Sequence, residues 1–420
     1  MKTAIVTGMI ATYPVGGVVW DYGQYVLGLQ QLGYEVYYLE DTGWVTYDPR
    51  KREYGPDCSY GVEYLASQLA FLSPLLGNRW HFRSLDGRSF GIPEAKFRRI
   101  VAAADIFLNV SGGTLLRDEY MICPRKVLID TDPGWNHFRN YPVQDAFACL
   151  QRGDRAGARR LLDEVGSQPQ WVDLDTWWES SRSWQKTYRY RAHDLFFTYA
   201  ERIGRPGCAL PTLGIEWITT RPPVITDRWR QAPPGEVWTS IMTWKNFTEI
   251  IQHDGAIYGT KEMEFEKIEK VPATAPGLFE MSVGGVRQPA GRWESFGWKI
   301  RDPEAISRTA DDYRSYIERS RGEISVAKNV YVATRSGWFS CRSVCYLAAG
   351  RPVVIQDTGF SENVPTGSGL LAFSTHEDAV DAVEEVEWDY KRHSLAARKI
   401  ALAYFDAKLV LKDLLRRAGL

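Results

Sequence analysis

MKTAIVTGMIATYPVGGVVWDYGQYVLGLQQLGYEVYYLE, residues 1–40, is the stretch whose pattern decides the fold. Residues 3–10, TAIVTGMI, form a short apolar run with β-prone character, and the turn-rich ATYPVGG follows it. An amphipathic stretch runs from about Asp21 to Leu32, Gly33 closes it, and YEVYYLE (34–40) is a second buried-type strand. Strand, loop, helix and strand at this spacing make a βαβ unit, which builds a parallel sheet.

The rhythm continues outward. Apolar runs recur at 105–110 (DIFLNV), 126–130 (KVLID) and 194–199 (DLFFTY), with helical patterns at about 60–74 and 93–103. A second series starts at EVWTSIMTW (236–244), with strands expected at 278–283, 329–333 (NVYVA), 352–356 and 369–373, and helices at 260–269, 309–320, 341–349 and 376–386. The expected architecture is α/β, two Rossmann-like doubly wound domains facing a cleft. The first spans 1–205 with a helical insertion at about 150–190. The Gly- and Pro-rich 206–235 is the linker, 236–395 is the second domain, and 396–420 is a terminal helix that can cross back to brace the first.

At 420 residues the chain exceeds one ordinary core of roughly 100–200 residues. Its 51 basic and 52 acidic residues give a formal charge of -1, which supplies no field for a nucleic-acid backbone or an anionic membrane. No run of about 18 apolar residues occurs, so no membrane span is expected and the default location is the cytoplasm. The cysteines at 58, 123, 149, 208, 341 and 345 lack zinc-finger or disulfide-framework spacing, and no metal site is expected.

Ligands of open α/β sheets sit at the carboxyl ends of strands. In the first half, Gly16 and Gly17 precede a helix whose amides can hold a phosphate, without the GxGxxG spacing of a dinucleotide enzyme. In the second half, Lys245 follows a strand and Lys261 lies in a helical first turn, where a lysine opposes the helix dipole unless an anion is present. The richest segment is VATRSGWFSCRSVCYLAAGRPVVIQDTGFSE (332–362). There Ser340 can cap a helix ended by Gly350, and Arg342 and Ser343 stand at its amino end beside a strand. Arg335 and Ser336 flank the turn, and Trp338 offers a stacking surface. For proton transfer, DTDPGWNH supplies Asp132 and His137 at a strand end of the first domain.

CYLAAGRPVVIQDTGFSE resembles the donor site of the retaining glycogen-synthase-like GT-B glycosyltransferases, in which two glutamates seven residues apart precede an AMAAG-[KR]-PVV motif and a glycine loop. The fuller RSGWFSxRSxxYLAxGRPV segment is similar to that of a bacterial glycosyltransferase-like group. The resemblance implies a metal-independent transferase without a cofactor, whose co-substrate is a nucleoside-diphosphate sugar. It places Gly16 and Gly17 at the glycine loop, Lys261 at the diphosphate lysine, Lys245 near an arginine of the family, and Asp357 and Gly359 in the donor loop. The chain departs from the pattern in one respect. Both family glutamates are replaced, by Gly337 and Cys345, so either Asp357, Glu362 or another residue takes the ribose, or the donor differs, or transfer has been lost. The expected function is transfer of the sugar to a small-molecule or glycan acceptor. The alternatives are a nucleotide-sugar epimerase of the same fold and a non-catalytic nucleotide-sugar-binding protein.

Overall fold

The computed structural model describes residues 1–165, 174, 189–245, 251–285 and 288–420. The opening unit consists of β1 (Thr3–Thr7), helix Gly16–Gln31 and β2 (Glu35–Glu40), with Thr3 opposite Glu35 in a parallel pair. The helix starts at Gly16 rather than near Asp21, directly after the extended Val15, so the glycine pair forms its first turn instead of a preceding loop. Gly33 terminates it at φ +85°, which a glycine adopts without strain.

A short hairpin, β3 (Thr46–Asp48) with β4 (Glu53–Gly55), precedes β5 (Trp80–Arg83), β6 (Ser89–Gly91), β7 (Ile106–Val110), β8 (Lys126–Asp130), β9 (Leu195–Thr198) and β10 (Ile218–Thr219). The first sheet has the order β10-β9-β8-β7-β1-β2-β5-β6, and its pairs are parallel except β5 with β6. β7 and β8 are buried along their whole length, as a sheet covered on both faces requires. Through β10 this sheet takes in Ile218–Thr219, beyond residue 205, where the sequence pattern ends the first domain. Of the expected insertion, helices Tyr141–Gln151 and Arg155–Glu164 are present, and most of 166–188 lies outside the described residues.

The second sheet is formed by β11 (Val237–Thr243), β14 (Leu278–Gly284), β15 (Trp298–Arg301), β16 (Gly322–Ser325), β17 (Val353–Gln356) and β18 (Leu370–Phe373), in the parallel order β15-β14-β11-β16-β17-β18. A separate hairpin joins β12 (Ile251–His253) to β13 (Ala256–Tyr258). One expected strand is corrected: NVYVA is a helix, Asn329–Ala333, and the strand is GEIS, seven residues earlier. The β-branched run is overridden by its place between the domains, where Tyr331 stacks on Trp338. GEIS is fully buried although it carries Glu323, because that carboxylate is paired with Arg342.

Each sheet reverses its winding beside its first strand, between β1 and β7 and between β11 and β16. The two switch points bring the loops after β1 and β7 towards those after β11 and β16. One apolar core runs through the junction, from Trp20 and Trp229 to Ala310, Tyr313 and Val344. Gly16 lies so close to the second domain that a β-carbon there would stand 2.1 Å from the Thr309 carbonyl oxygen. Helix Ala407–Arg417 returns to the first domain, where Leu411 packs over Gly28, the Ala407 amide donates to the Val224 carbonyl and the Val224 amide donates to the Phe405 carbonyl.

Candidate functional site

Helix Cys341–Ala348 follows the long loop after β16. The Ser340 hydroxyl accepts from the Ser343 amide, the cap expected from the sequence, which leaves the amides of the first turn directed at the junction. Val344, Cys345, Leu347 and Ala348 are buried beneath it. A small cavity at the ends of β16 and β17 is lined by Ser325, Arg342, Ser343 and Gln356. The Ser343 hydroxyl in its lining, and one oxygen of Glu323 on β16, are buried without a hydrogen-bond partner among the described residues.

Three cations converge beside this helix end. The Arg342 guanidinium bonds Glu323 at 2.7 Å and Ser325 at 3.1 Å. Lys328 reaches across the junction to Asp132 at 2.5 Å. Lys261, in a 3-10 turn after Thr260, is only 8% exposed. Burial holds its amine well below the usual lysine range, and the Arg342 and Lys328 charges push the same way against the pull of Glu323. Unlike the other two cations, Lys261 has no carboxylate within ion-pair distance among the described residues. Asp21 faces the group from the first domain, within electrostatic range of Cys341 and Arg342 at the amino end of helix Cys341–Ala348.

The remaining expected residues divide by what occupies their polar atoms. Gly16 and Gly17 pack on the second domain, with the Gly17 amide 3.4 Å from the Ser307 hydroxyl. Lys245 is largely exposed, 4.0 Å from Glu262 and apart from the cation group. Arg335 extends to Glu362, and Ser336 is buried with its hydroxyl on the Tyr331 carbonyl. Asp357 is spent on its own turn, accepting from the Gly359 amide and the Ser361 hydroxyl, with Gly359 at φ +91°. Trp338 is half-buried and lines the same cavity; it stacks on Tyr331 at 4.3 Å and donates to the Thr131 carbonyl at 2.9 Å, a strut between the domains.

Asp132 accepts from both Lys328 and the Tyr331 hydroxyl. His137 is fully buried. One ring nitrogen meets Asp130 at 3.0 Å and the other the Pro211 carbonyl at 2.8 Å, so neither is open to a substrate. The two positions that depart from the resembled motif have steric explanations. Gly337 sits at φ +78°, and a β-carbon there would lie 2.9 Å from Arg202 Cγ and 3.0 Å from its backbone nitrogen. Cys345 points into the junction, 3.8 Å from the Gln24 amide. Asp21, Lys328 and Glu323 escaped the sequence reading. The last two were masked by the misplaced strand at 329–333, while Asp21 reads as an ordinary polar position of an amphipathic helix.

No family model and no curated protein sequence matches the chain. Solved structures do. An alpha-glucosyltransferase in complex with UDP and a mismatch-containing 13-mer DNA aligns over 100% of both chains at a TM-score of 0.52 and 12% identity. The same type of enzyme in complex with UDP alone aligns over 100% of both chains at 0.51 and 12%. A glycosyltransferase of avilamycin A biosynthesis gives 0.48 at 12% identity, covering 100% of this chain and 97% of the other. The fold is that of the two-domain GT-B glycosyltransferases, with two parallel-sheet domains meeting at a cleft.

Proposed function

We propose that the chain is a glycosyltransferase that holds a nucleoside-diphosphate sugar against its second domain and passes the sugar to a small-molecule or glycan acceptor on the first. The observation that carries this reading is Lys261, a lysine nine-tenths buried without an ion-pair partner among the described residues, beside a helix amino terminus. A buried charge is costly unless it is paired, and a diphosphate supplies the missing partner. Lys261, Lys328, Arg342 and the free amides of helix Cys341–Ala348 then offset the charge of the departing diphosphate, the work a metal ion does in other transferases. The UDP held by the structurally similar alpha-glucosyltransferases is consistent with this chemistry. The near-neutral formal charge of -1 favours a sugar or small acceptor over DNA, and the same proposal places the enzyme in the cytoplasm.

Thermal unfolding with UDP, GDP, ADP and dTDP tests the donor site. A ligand at 100 times its dissociation constant adds about 2.7 kcal/mol to the folded state, a clear rise in Tm. If none of the four shifts the transition at millimolar concentration, the reading is wrong. Product analysis with a pool of nucleotide sugars separates transfer from epimerisation, which needs no acceptor, and from binding without turnover.

A further inference from the structure

Helix Gly16–Gln31 turns one face to the second domain. Gly17 lies on the Tyr313 ring, Trp20 donates to the Ala310 carbonyl at 2.8 Å, and Gln24 bonds Cys345. Asp21 falls on this face, at the amino end of helix Cys341–Ala348. Its carboxylate has no salt-bridge partner among the described residues, and it lies within electrostatic range of Cys341 and Arg342, both of which also act on Lys261. The carboxylate therefore stands on the first-domain wall and faces the cation group through Arg342.

The other acidic groups around the junction are committed. Asp132 is tied to Lys328 and Tyr331, Asp130 to His137 and Asn136, Glu323 to Arg342, Glu362 to Arg202, and Asp357 to its own turn. Glu40 is fully buried and takes the Ala11 and Thr12 amides. Asp21 is part-exposed, as are Asp132 and Asp357, and it alone among these carboxylates lacks a cationic hydrogen-bond partner or an amide partner in the described residues. A carboxylate without a cationic or amide partner, beside the leaving-group site, is free to take a proton.

We propose that Asp21 is the catalytic base of the transfer, an assignment that rests on the donor-site reading above. The acceptor hydroxyl oxygen forms a bond to the anomeric carbon and gives its proton to the Asp21 carboxylate. The bond from that carbon to the phosphate oxygen breaks, and its electron pair leaves with the diphosphate, held by Lys261, Lys328 and Arg342.

The surroundings suit the role. Asp21 is faced by Cys341, Arg342 and Cys345 from one helix, Tyr313 from helix Ala310–Glu318, Tyr199 beyond β9, and Tyr22 and Tyr25 of its own helix. Burial pushes the carboxyl up to about 6, against the neighbouring Cys341 side chain and the Arg342 charge, which lower it. It is ionised at neutral pH yet more basic than an ordinary aspartate. A base works deprotonated, so turnover falls as the pH drops through about 6.

The test uses the full chain, a pool of UDP-, GDP-, ADP- and dTDP-hexoses, and a pool of simple sugars and glycosides as acceptors. Diphosphate release is followed from pH 5 to 9. Asp21→Asn is expected to lose roughly 100- to 10,000-fold in kcat, with nucleotide affinity within about threefold of wild type. Asp21→Glu is expected to recover part of kcat together with the acidic limb. A merely structural aspartate would lower Tm and leave the limb in place. The assignment is overturned if Asp21→Asn keeps kcat within about fivefold, if its profile retains the limb near pH 6, or if wild type binds a nucleotide and transfers nothing. If wild type binds none of the four nucleotides, the donor-site reading has failed at the earlier step and the assignment falls with it.

Discussion

Replacing Lys261 by methionine separates a binding role from a structural one, because the two predict opposite signs. The ammonium is 8% exposed and has no ion-pair partner in the described residues, while Arg342 and Lys328 repel it. Desolvating an ion costs several kcal/mol after relaxation, part of which the Glu323 carboxylate returns. Methionine keeps the length and removes the charge, so Lys261→Met is expected to stabilise the unliganded protein by about 1–3 kcal/mol. At about 2 °C per kcal/mol for a large chain, Tm rises by roughly 2–6 °C. The pH dependence follows from linkage. A lysine whose folded pKa is depressed costs stability fully below that pKa, and the cost disappears as pH rises towards the unfolded value near 10.4. The advantage of the variant is therefore largest below the folded pKa and shrinks as pH rises towards the unfolded value. Nucleotide binding moves the other way. Truncating one partner of a buried charge pair costs about 2–4 kcal/mol, a loss of roughly 30- to 1000-fold in affinity. Thermal unfolding with and without nucleotide, together with calorimetric titration, measures both. A variant that melts below wild type, or binds nucleotide equally well, refutes the argument.

Three further substitutions address the junction. Gly16→Ala sets a methyl group 2.1 Å from the Thr309 carbonyl, a backbone atom that cannot rotate away, and is expected to destabilise by about 1–3 kcal/mol; an unchanged Tm would show that the domains separate there without cost. Gly337→Glu, which restores the residue of the resembled motif, combines left-handed strain of about 1–2 kcal/mol with overpacking against Arg202 of about 1–3 kcal/mol. It is expected to lower Tm by several degrees without improving nucleotide affinity, and a gain in affinity at unchanged Tm contradicts the steric account. His137→Gln removes a fully buried ring bonded at both nitrogens, so the loss should appear in Tm, by about 1–3 kcal/mol of stability, with nucleotide affinity kept. A fall in turnover at constant Tm would instead return His137 to the chemistry.

What could be read from the chain follows what is local in it. The β1–helix–β2 unit has its glycine stop and both apolar strands within 40 residues, and Ser340 sits next to the helix it caps. GEIS and NVYVA were exchanged because the strand hides a glutamate whose partner is 19 residues on, while the helix is a β-prone run claimed by contacts across the junction. The same distinction orders the site. Lys261 and Arg342 are recognisable from their own helical turns. Trp338 and His137 change meaning only when Thr131, Tyr331, Asp130 and Pro211 are placed around them.

The two missing glutamates share one cause with these reversals. Arg202, held by Glu362 and by the Arg335 carbonyl, fills the space beside Gly337, and Gln24 of the first domain reaches Cys345. First-domain side chains thus stand where the motif's carboxylates would project. A glutamate at 345 would also bring a second negative charge towards Asp21, already raised by burial to about 6. The two arrangements exclude each other electrostatically. A chain that places its working carboxylate at 21, on the first domain, has reason to keep an uncharged side chain at 345. Cys345→Glu is therefore expected to raise the acidic limb of the pH–rate profile above pH 6, through repulsion of Asp21, in addition to costing stability. A variant that still folds and binds nucleotide but leaves the limb where it was would show that the two positions are independent.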